Sequence, residues 1–228
     1  MQKLVVLTGA GISAESGIAT FRASDGLWAK YRIEDVCTPE ALQNNRQQVI
    51  EFYNMRRREA LGKQPNAAHL GLKELEKHFE VQIITQNIDD LHERAKSKNI
   101  LHLHGELRKL CSSRDVSQTV ELDGWEQALE ARHADGSLLR PFVVFFGEPV
   151  PLLESAMQLT AAADIFAVIG TSLQVYPAAS LLHYVRPNVP VFVIDPQAPQ
   201  ISLPGNSLHI IQKPATQGIA ELLNLRHS

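Results

Sequence analysis

The feature that most constrains this chain is a glycine turn set directly after its first apolar run. Residues 3–7 are Lys-Leu-Val-Val-Leu, and Thr8 leads into Gly9-Ala10-Gly11-Ile12-Ser13-Ala14. This is G-x-G-x-x-A, the alanine variant of the dinucleotide fingerprint. Its glycines let the backbone turn tightly and approach a pyrophosphate, and the helix start that follows offers unpaired N–H groups. Glycines after a strand often make only a turn; the position directly after strand one favours the nucleotide.

The rest of the chain is built the same way. Apolar runs at 81–85, 100–104, 142–146, 165–170 and 191–195 read as further buried strands. Helical patterns lie at 66–79, 151–162 and 177–185, the last two opening with proline. Strands alternating with helices predict an α/β fold, a Rossmann-like parallel sheet with helices on both faces. Two stretches break the alternation, about 21–65 and about 108–140, with a helix expected over 125–132. They read as insertions that build a small part beside the sheet. The expected division is a large part of about 1–21, 66–107 and 141–228, and a small part of about 22–65 and 108–140.

Composition excludes several classes. With 228 residues, 44% apolar and 21% charged, the chain has ample material for a core and is neither disordered nor fibrous. A net charge of −3 gives no global attraction to nucleic acid or to an acidic membrane. Cys37 and Cys111 cannot form a disulfide framework or a four-thiolate zinc site from this chain alone, which suits a reducing compartment. The opening run is too short for a signal peptide, and no stretch reaches the roughly 18 apolar residues of a membrane span. A cytoplasmic location is expected.

Further segments carry chemistry. Thr85-Gln86-Asn87-Ile88-Asp89-Asp90 sets polar groups at a strand end, where open α/β sheets bind ligands. A helix cap by Asn87 or Asp89 explains one of them, not three. His102 and His104 lie two apart and share a strand face, without third and fourth zinc ligands nearby. His104, backed by Gly105, is a candidate general base near neutral pH. Gly170-Thr171-Ser172 is another phosphate- or ribose-contacting turn, and Asp195 is the acid that ends a strand. Gly17 to Arg22, running on to Trp28, suits a cover over a ligand. No Ser-centred elbow and no Cys–His pairing appears, so the chemistry lies between cofactor and substrate.

Together, Gly9 to Ile18, Phe21-Arg22, Gln86-Asn87-Ile88-Asp89, His104-Gly105, Phe146-Gly147-Glu148 and Gly170-Thr171-Ser172 resemble a sirtuin, in family order from residue 9 to residue 172. The resemblance implies one catalytic unit over 1–228, an NAD-dependent protein-lysine deacylase whose partners are acyl-lysine proteins or peptides. It implies attack of the acyl-lysine oxygen on C1′ of the nicotinamide ribose, loss of nicotinamide and formation of O-acyl-ADP-ribose. By that resemblance the catalytic residues are His104, Asn87 and Asp89. NAD is expected at Gly9, Ala10, Gly11, Ser13, Glu15, Thr20, Phe21, Arg22 and Trp28. Its further contacts are Gln86, Asn87, Ile88, Asp89, Gly170, Thr171, Ser172, Asp195, Pro196, Gln197 and Ala215.

Phe52-Tyr53-Asn54-Met55-Arg56 resembles the Y-x-x-R signature of sirtuins that remove succinyl and malonyl groups. Tyr53 and Arg56 share a helix face, and a phenol with a guanidinium can read an acyl chain ending in carboxylate. Read without the resemblance, Arg56 to Glu59 is a solvated charged face. The chain departs from the family at Cys111, whose expected partner position holds Arg114, and no later cysteine occurs. The metal expectation is therefore none, with residues 112–140 packed around Leu122, Trp125 and Leu129. Two rival readings are a non-catalytic NAD or ADP-ribose binding module and a protein ADP-ribosyltransferase.

Overall fold

The computed structural model describes residues 1–20, 30–197 and 201–225. Lys3–Thr8 form strand β1 and Gly11–Ala14 the short helix α1. Helices α2 (Ile33–Val36), α3 (Pro39–Asn44) and α4 (Arg46–Leu61) follow. Helix α5 (Ala67–Leu75) and strand β2 (Glu80–Thr85) return the chain to the sheet. Next come α6 (Leu91–Arg94), β3 (Ile100–His102), β4 (Gly105–Ser112), β5 (Thr119–Glu121) and β6 (Leu139–Val143). The last third holds α7 (Leu153–Ala161), β7 (Ile165–Ile169), a 3-10 segment at Ala178–Tyr184, β8 (Val191–Ile194), β9 (Leu208–Ile211) and α8 (Ala215–Asn224).

Six strands form one parallel sheet in the order β3-β2-β1-β7-β8-β9. The chain builds outward from β1 in one direction, then returns to its other side with β7. That reversal between β1 and β7 is the topological switch point at which open α/β sheets open a crevice. Both faces are covered, so the central strands are apolar almost without interruption. Leu4 and Val6 of β1 pack with Leu72, Leu75, Ile219 and Leu222 of α5 and α8. Val5 and Leu7 face the opposite layer, with Ala156 of α7 and Leu181 and Leu182 of the 3-10 segment.

Four expectations need correction. The run at 142–146 is not a strand of the parallel sheet: β6 ends at Val143 and pairs antiparallel with β4, in a second sheet ordered β5-β4-β6. Apolar content alone does not distinguish the two sheets. The strand expected over 100–104 stops at His102, and β4 begins at Gly105, whose φ of +86° turns the chain into the second sheet. No helix forms over 125–132. Nor is the 112–140 stretch packed around Leu122, Trp125 and Leu129: Leu129 is exposed and the other two are half-buried.

Polar bonds hold that stretch instead. Buried Ser112 donates to Asp135 at 2.7 Å and lies 2.8 Å from the Ser137 hydroxyl. Buried Gln127 donates its amide to the Leu139 carbonyl at 2.7 Å, and its backbone N–H donates to Asn54 of α4 at 2.8 Å. Arg46 donates to the carbonyls of Leu129 and Leu139. A segment with few large apolar residues folds here by satisfying its carbonyls from a neighbouring helix.

Candidate active site

The carboxyl ends of β1, β2, β7 and β8 open into a cleft of about 560 Å³, a size suited to a small-molecule ligand. Each strand end delivers an expected segment to it. Gly9, Ala10 and Gly11 follow β1; Gln86, Asn87 and Ile88 follow β2. Gly170, Thr171 and Ser172 follow β7; Asp195, Pro196 and Gln197 follow β8. Glu15, Thr20, His104 and Ala215 line it as well, and α4 contributes Tyr53 and Arg56. Phe21, Arg22 and Trp28 lie outside the described residues. Ser13 and Asp89 do not line the cleft; they are buried and bonded to its wall.

The fingerprint glycines serve the fold first. A Cβ on Gly9 would stand 2.6 Å from Thr171 Cβ, and one on Gly11 would stand 2.7 Å from Gly170 Cα. The loops after β1 and β7 thus touch backbone to backbone, and the Gly11 N–H donates to the Gly170 carbonyl at 2.8 Å. Gly170 itself has a φ of +63°, which disfavours a side chain. Glu15 accepts from the Thr216 N–H at 3.1 Å and hydroxyl at 2.7 Å, tying α1 to the first turn of α8 beside Ala215. Asp195 accepts from the Gln197 N–H at 2.8 Å.

Asn87 is held from several sides. Its side-chain amide donates to Ser13 Oγ at 3.2 Å, and Ser13 in turn donates to Asp89 Oδ2 at 3.0 Å. Its backbone N–H donates to Thr85 Oγ1 at 3.0 Å, which also accepts from Thr8. Its carbonyl accepts from His102 Nδ1 at 3.1 Å. Burial pushes the Asp89 carboxyl above its usual range, against the opposing bonds from Leu91 and Ser13.

The two histidines of the 100–104 run bind successive carbonyls of one turn. His104 Nδ1 lies 3.1 Å from the Gln86 oxygen and His102 Nδ1 lies 3.1 Å from the Asn87 oxygen. A carbonyl can only accept, so Nδ1 carries the proton in each ring. For His104 this leaves Nε2 as the basic nitrogen at the cleft. Burial pushes its imidazole below the ordinary histidine value, so the neutral form is the one present near pH 7. His102 Nε2 points away from this role, engaged by Glu93 at 2.7 Å.

The charged stretch 56–59 is solvated only at Arg58 and in part at Glu59. Arg56 is only 5% exposed and donates to Glu59 at 2.6 Å; Arg57 is equally buried and donates to the Leu107 carbonyl at 2.8 Å. Tyr53 is fully buried, and its hydroxyl lies 3.2 Å from Cys37 Sγ, a cleft-lining thiol that carried no sequence signal. Burial holds the phenol well above its ordinary pKa, so it stays neutral. Arg140 was also invisible in the sequence. It spans Glu148 with both terminal nitrogens and packs 4.1 Å from the Phe145 ring centroid, fixing the wall from Val143 to Glu148.

Donor chemistry at the cleft fits a dinucleotide: amide, hydroxyl and carboxylate groups at four strand ends, the His104 imidazole beyond β3, and a helix start at Ala215. Cys111 Sγ lies 3.8 Å from the Pro141 carbonyl, and among the described residues no group of three or more His, Cys, Asp or Glu could hold a metal ion. Among the same residues no helix is long and apolar enough to cross a membrane.

A parallel sheet with its cleft at the switch point, lined by an imidazole and an amide turn, is a doubly wound α/β fold whose cleft lies where such sheets bind ligands. The Sir2 family profile matches residues 9–177, and the chain belongs to that family. It is 51% identical over 230 residues to an NAD-dependent protein deacylase of Bacteroides thetaiotaomicron, covering 99% of this chain and 98% of that one. A Sir2 homologue solved as an NAD complex superposes with a TM-score of 0.86 at 39% identity, covering 99% of this chain and 89% of that one. A Sir2 bound to acetylated peptide superposes with a TM-score of 0.79 at 28% identity, covering 97% and 92%.

Proposed function

We propose that this chain removes succinyl, malonyl and acetyl groups from protein lysines, consuming NAD and releasing nicotinamide and O-acyl-ADP-ribose. The coarser activity, NAD-dependent protein deacylation, is that of the Sir2 family to which the chain belongs. The observation that carries the reading is the His104 ring, pinned through Nδ1 to Gln86 so that a neutral Nε2 serves the cleft. NAD supplies the electrophilic ribose carbon when bound.

Within this proposal each residue has a physical task. The buried Asn87 amide, steadied by Ser13 and Asp89, orients the nicotinamide ribose. His104 Nε2 takes a proton from a ribose hydroxyl. The turn at Gly170 to Ser172 meets the phosphates, and Asp195 accepts from the adenosine ribose. Tyr53 and Arg56 receive the acyl end. Glu59 keeps the Arg56 guanidinium oriented, and a substrate carboxylate joins it there. The substrates are acyl-lysine proteins or peptides in the cytoplasm, with neither nucleic acid nor membrane as partner.

The test is purified protein with NAD and acetyl-, malonyl- and succinyl-lysine peptides, read by mass spectrometry. Nicotinamide and the matching O-acyl-ADP-ribose are expected. No nicotinamide from any peptide sinks the proposal; binding without turnover favours a sensing module, and ADP-ribose retained on protein favours ADP-ribosyl transfer.

A further inference from the structure

Glu93 and His102 stand outside the cleft lining, yet they bear directly on its central turn. His102 Nδ1 lies 3.1 Å from the Asn87 oxygen, and Nε2 lies 2.7 Å from Glu93 Oε1. One partner is a carbonyl and the other a carboxylate, and at neutral pH neither carries a proton to give. Both ring nitrogens must therefore donate, so the ring in this arrangement is an imidazolium. The His102 side chain is only 9% exposed, while Glu93 is 41% exposed and reaches it from the solvent side. The charged and titratable groups around it are Glu93 and His92 on α6, Glu106 on β4 with its partner Lys109, and Asp89 on the turn itself.

We propose that His102, held as an imidazolium by Glu93, is a positioning residue for the deacylation reaction: it fixes the carbonyl side of the Asn87 turn. The inference rests on the deacylase reading above. Asn87 is then fastened by three arms, through its side chain to Ser13, its N–H to Thr85 and its carbonyl to His102. The first two are neutral and insensitive to pH near 7. The third is not. Loss of the Nε2 proton would set a lone pair against the Glu93 carboxylate, the pair would part, and the ring would lose the orientation that aims Nδ1–H at the carbonyl. Bonds from Glu93 and the nearby carboxylates outweigh burial and raise the His102 pKa above its ordinary value. His104 is lowered. Neighbouring histidines on one turn thus titrate on opposite sides of the ordinary value: His104 must lose its proton to act as base, and His102 must keep its own to hold Asn87.

The experiment is the pH profile of kcat with NAD and an acyl-lysine peptide, for the wild type, Glu93→Gln and His102→Asn, with thermal melts alongside. The expected profile is bell-shaped. Glu93→Gln shifts the alkaline limb to lower pH by about one unit and leaves the acid limb in place. His102→Asn, which keeps an N–H donor, lowers kcat about tenfold while changing the KM for peptide little, and abolishes the shiftable limb. An alkaline limb unmoved in folded Glu93→Gln overturns the proposal. Should either variant fail to fold, 15N–1H spectra of the wild-type histidines decide: an imidazolium at 102 persisting above pH 6.5 supports it, and a neutral ring at pH 6 overturns it. Absence of turnover in the wild type would instead defeat the deacylase reading, so the two failures are distinguishable.

Discussion

Arg140 grips Glu148 with two parallel bonds, 2.6 Å and 3.0 Å, while the same carboxylate accepts the Phe145 N–H at 2.8 Å. Arg140 also donates to the Val143 carbonyl at 3.0 Å. One ion pair thus closes the 143–148 turn, which forms part of the cleft wall. Both side chains are mostly removed from water, so the pair is not an exposed one of negligible value.

Arg140→Met is expected to destabilise the fold by about 3 kcal/mol, because Glu148 would be left without its cation. Urea unfolding measures this. Glu148→Gln keeps an acceptor for Phe145 and should cost less than Arg140→Met; equal or reversed losses would contradict the account.

His104→Asn removes the basic nitrogen and should reduce deacylation by at least about 100-fold at unchanged fold. In the wild type the base must be neutral, and its folded pKa lies below the ordinary histidine value. Activity should therefore hold as pH falls to about 6.5 and decline only below it. An acid limb centred above pH 7 would remove His104 from the role.

His69 and His92 are fully buried, their rings 4.9 Å apart, and each has one nitrogen without a partner. Burial lowers His69 to about 4 and pushes His92 well below its ordinary value. The unfolded chain takes up protons near pH 6.5, whereas the folded chain keeps both rings neutral. Stability from His69 is therefore complete above 6.5 and lost as pH falls toward 4, by about 3 kcal/mol in all. Denaturation midpoints at pH 7, 5.5 and 4.5 test the slope, and His69→Gln should flatten it.

Arg56→Met should lower kcat/KM for succinyl- and malonyl-lysine peptides by tenfold or more, about 1.5–3 kcal/mol of a charge-assisted bond. Deacetylation should change by less than about threefold, since an acetyl group offers nothing for the guanidinium to grip. Parallel losses on all three peptides would assign Arg56 to folding through Glu59 rather than to the acyl group.

Chelation should leave both the melting temperature and turnover unchanged, because Ser112, Asp135 and Ser137 tie together residues 112–140 by hydrogen bonds. Stoichiometric zinc in the purified protein by elemental analysis would refute this.

Much of the sheet was legible in the residues. Buried parallel strands are short unbroken runs of Val, Ile, Leu and Phe, and β1, β2, β7 and β8 lie within a residue of where those runs set them. The strand-end segments were legible for the same reason, since polar groups must follow where such a strand leaves the core. β9 escaped notice: an edge strand with two exposed residues among four has no such run. The run at 142–146 misled because it is equally apolar, and only partner geometry assigns β6 to the second sheet.

By itself the sequence determined which groups are available: a glycine turn after β1, an amide and acid turn after β2, a histidine before Gly105, a tyrosine and an arginine one helical turn apart. Tertiary structure alone decided which of them meet. Ser13 reaches Asp89 across 76 positions, Gln86 reaches Thr171 across 85, and Glu15 reaches Thr216 across 201. Such pairs leave no local signature, because the strand order sets their separation and a hydrogen bond is indifferent to distance along the chain. The proton on each histidine was settled in the same way, by whichever carbonyl or carboxylate the fold brought against the ring.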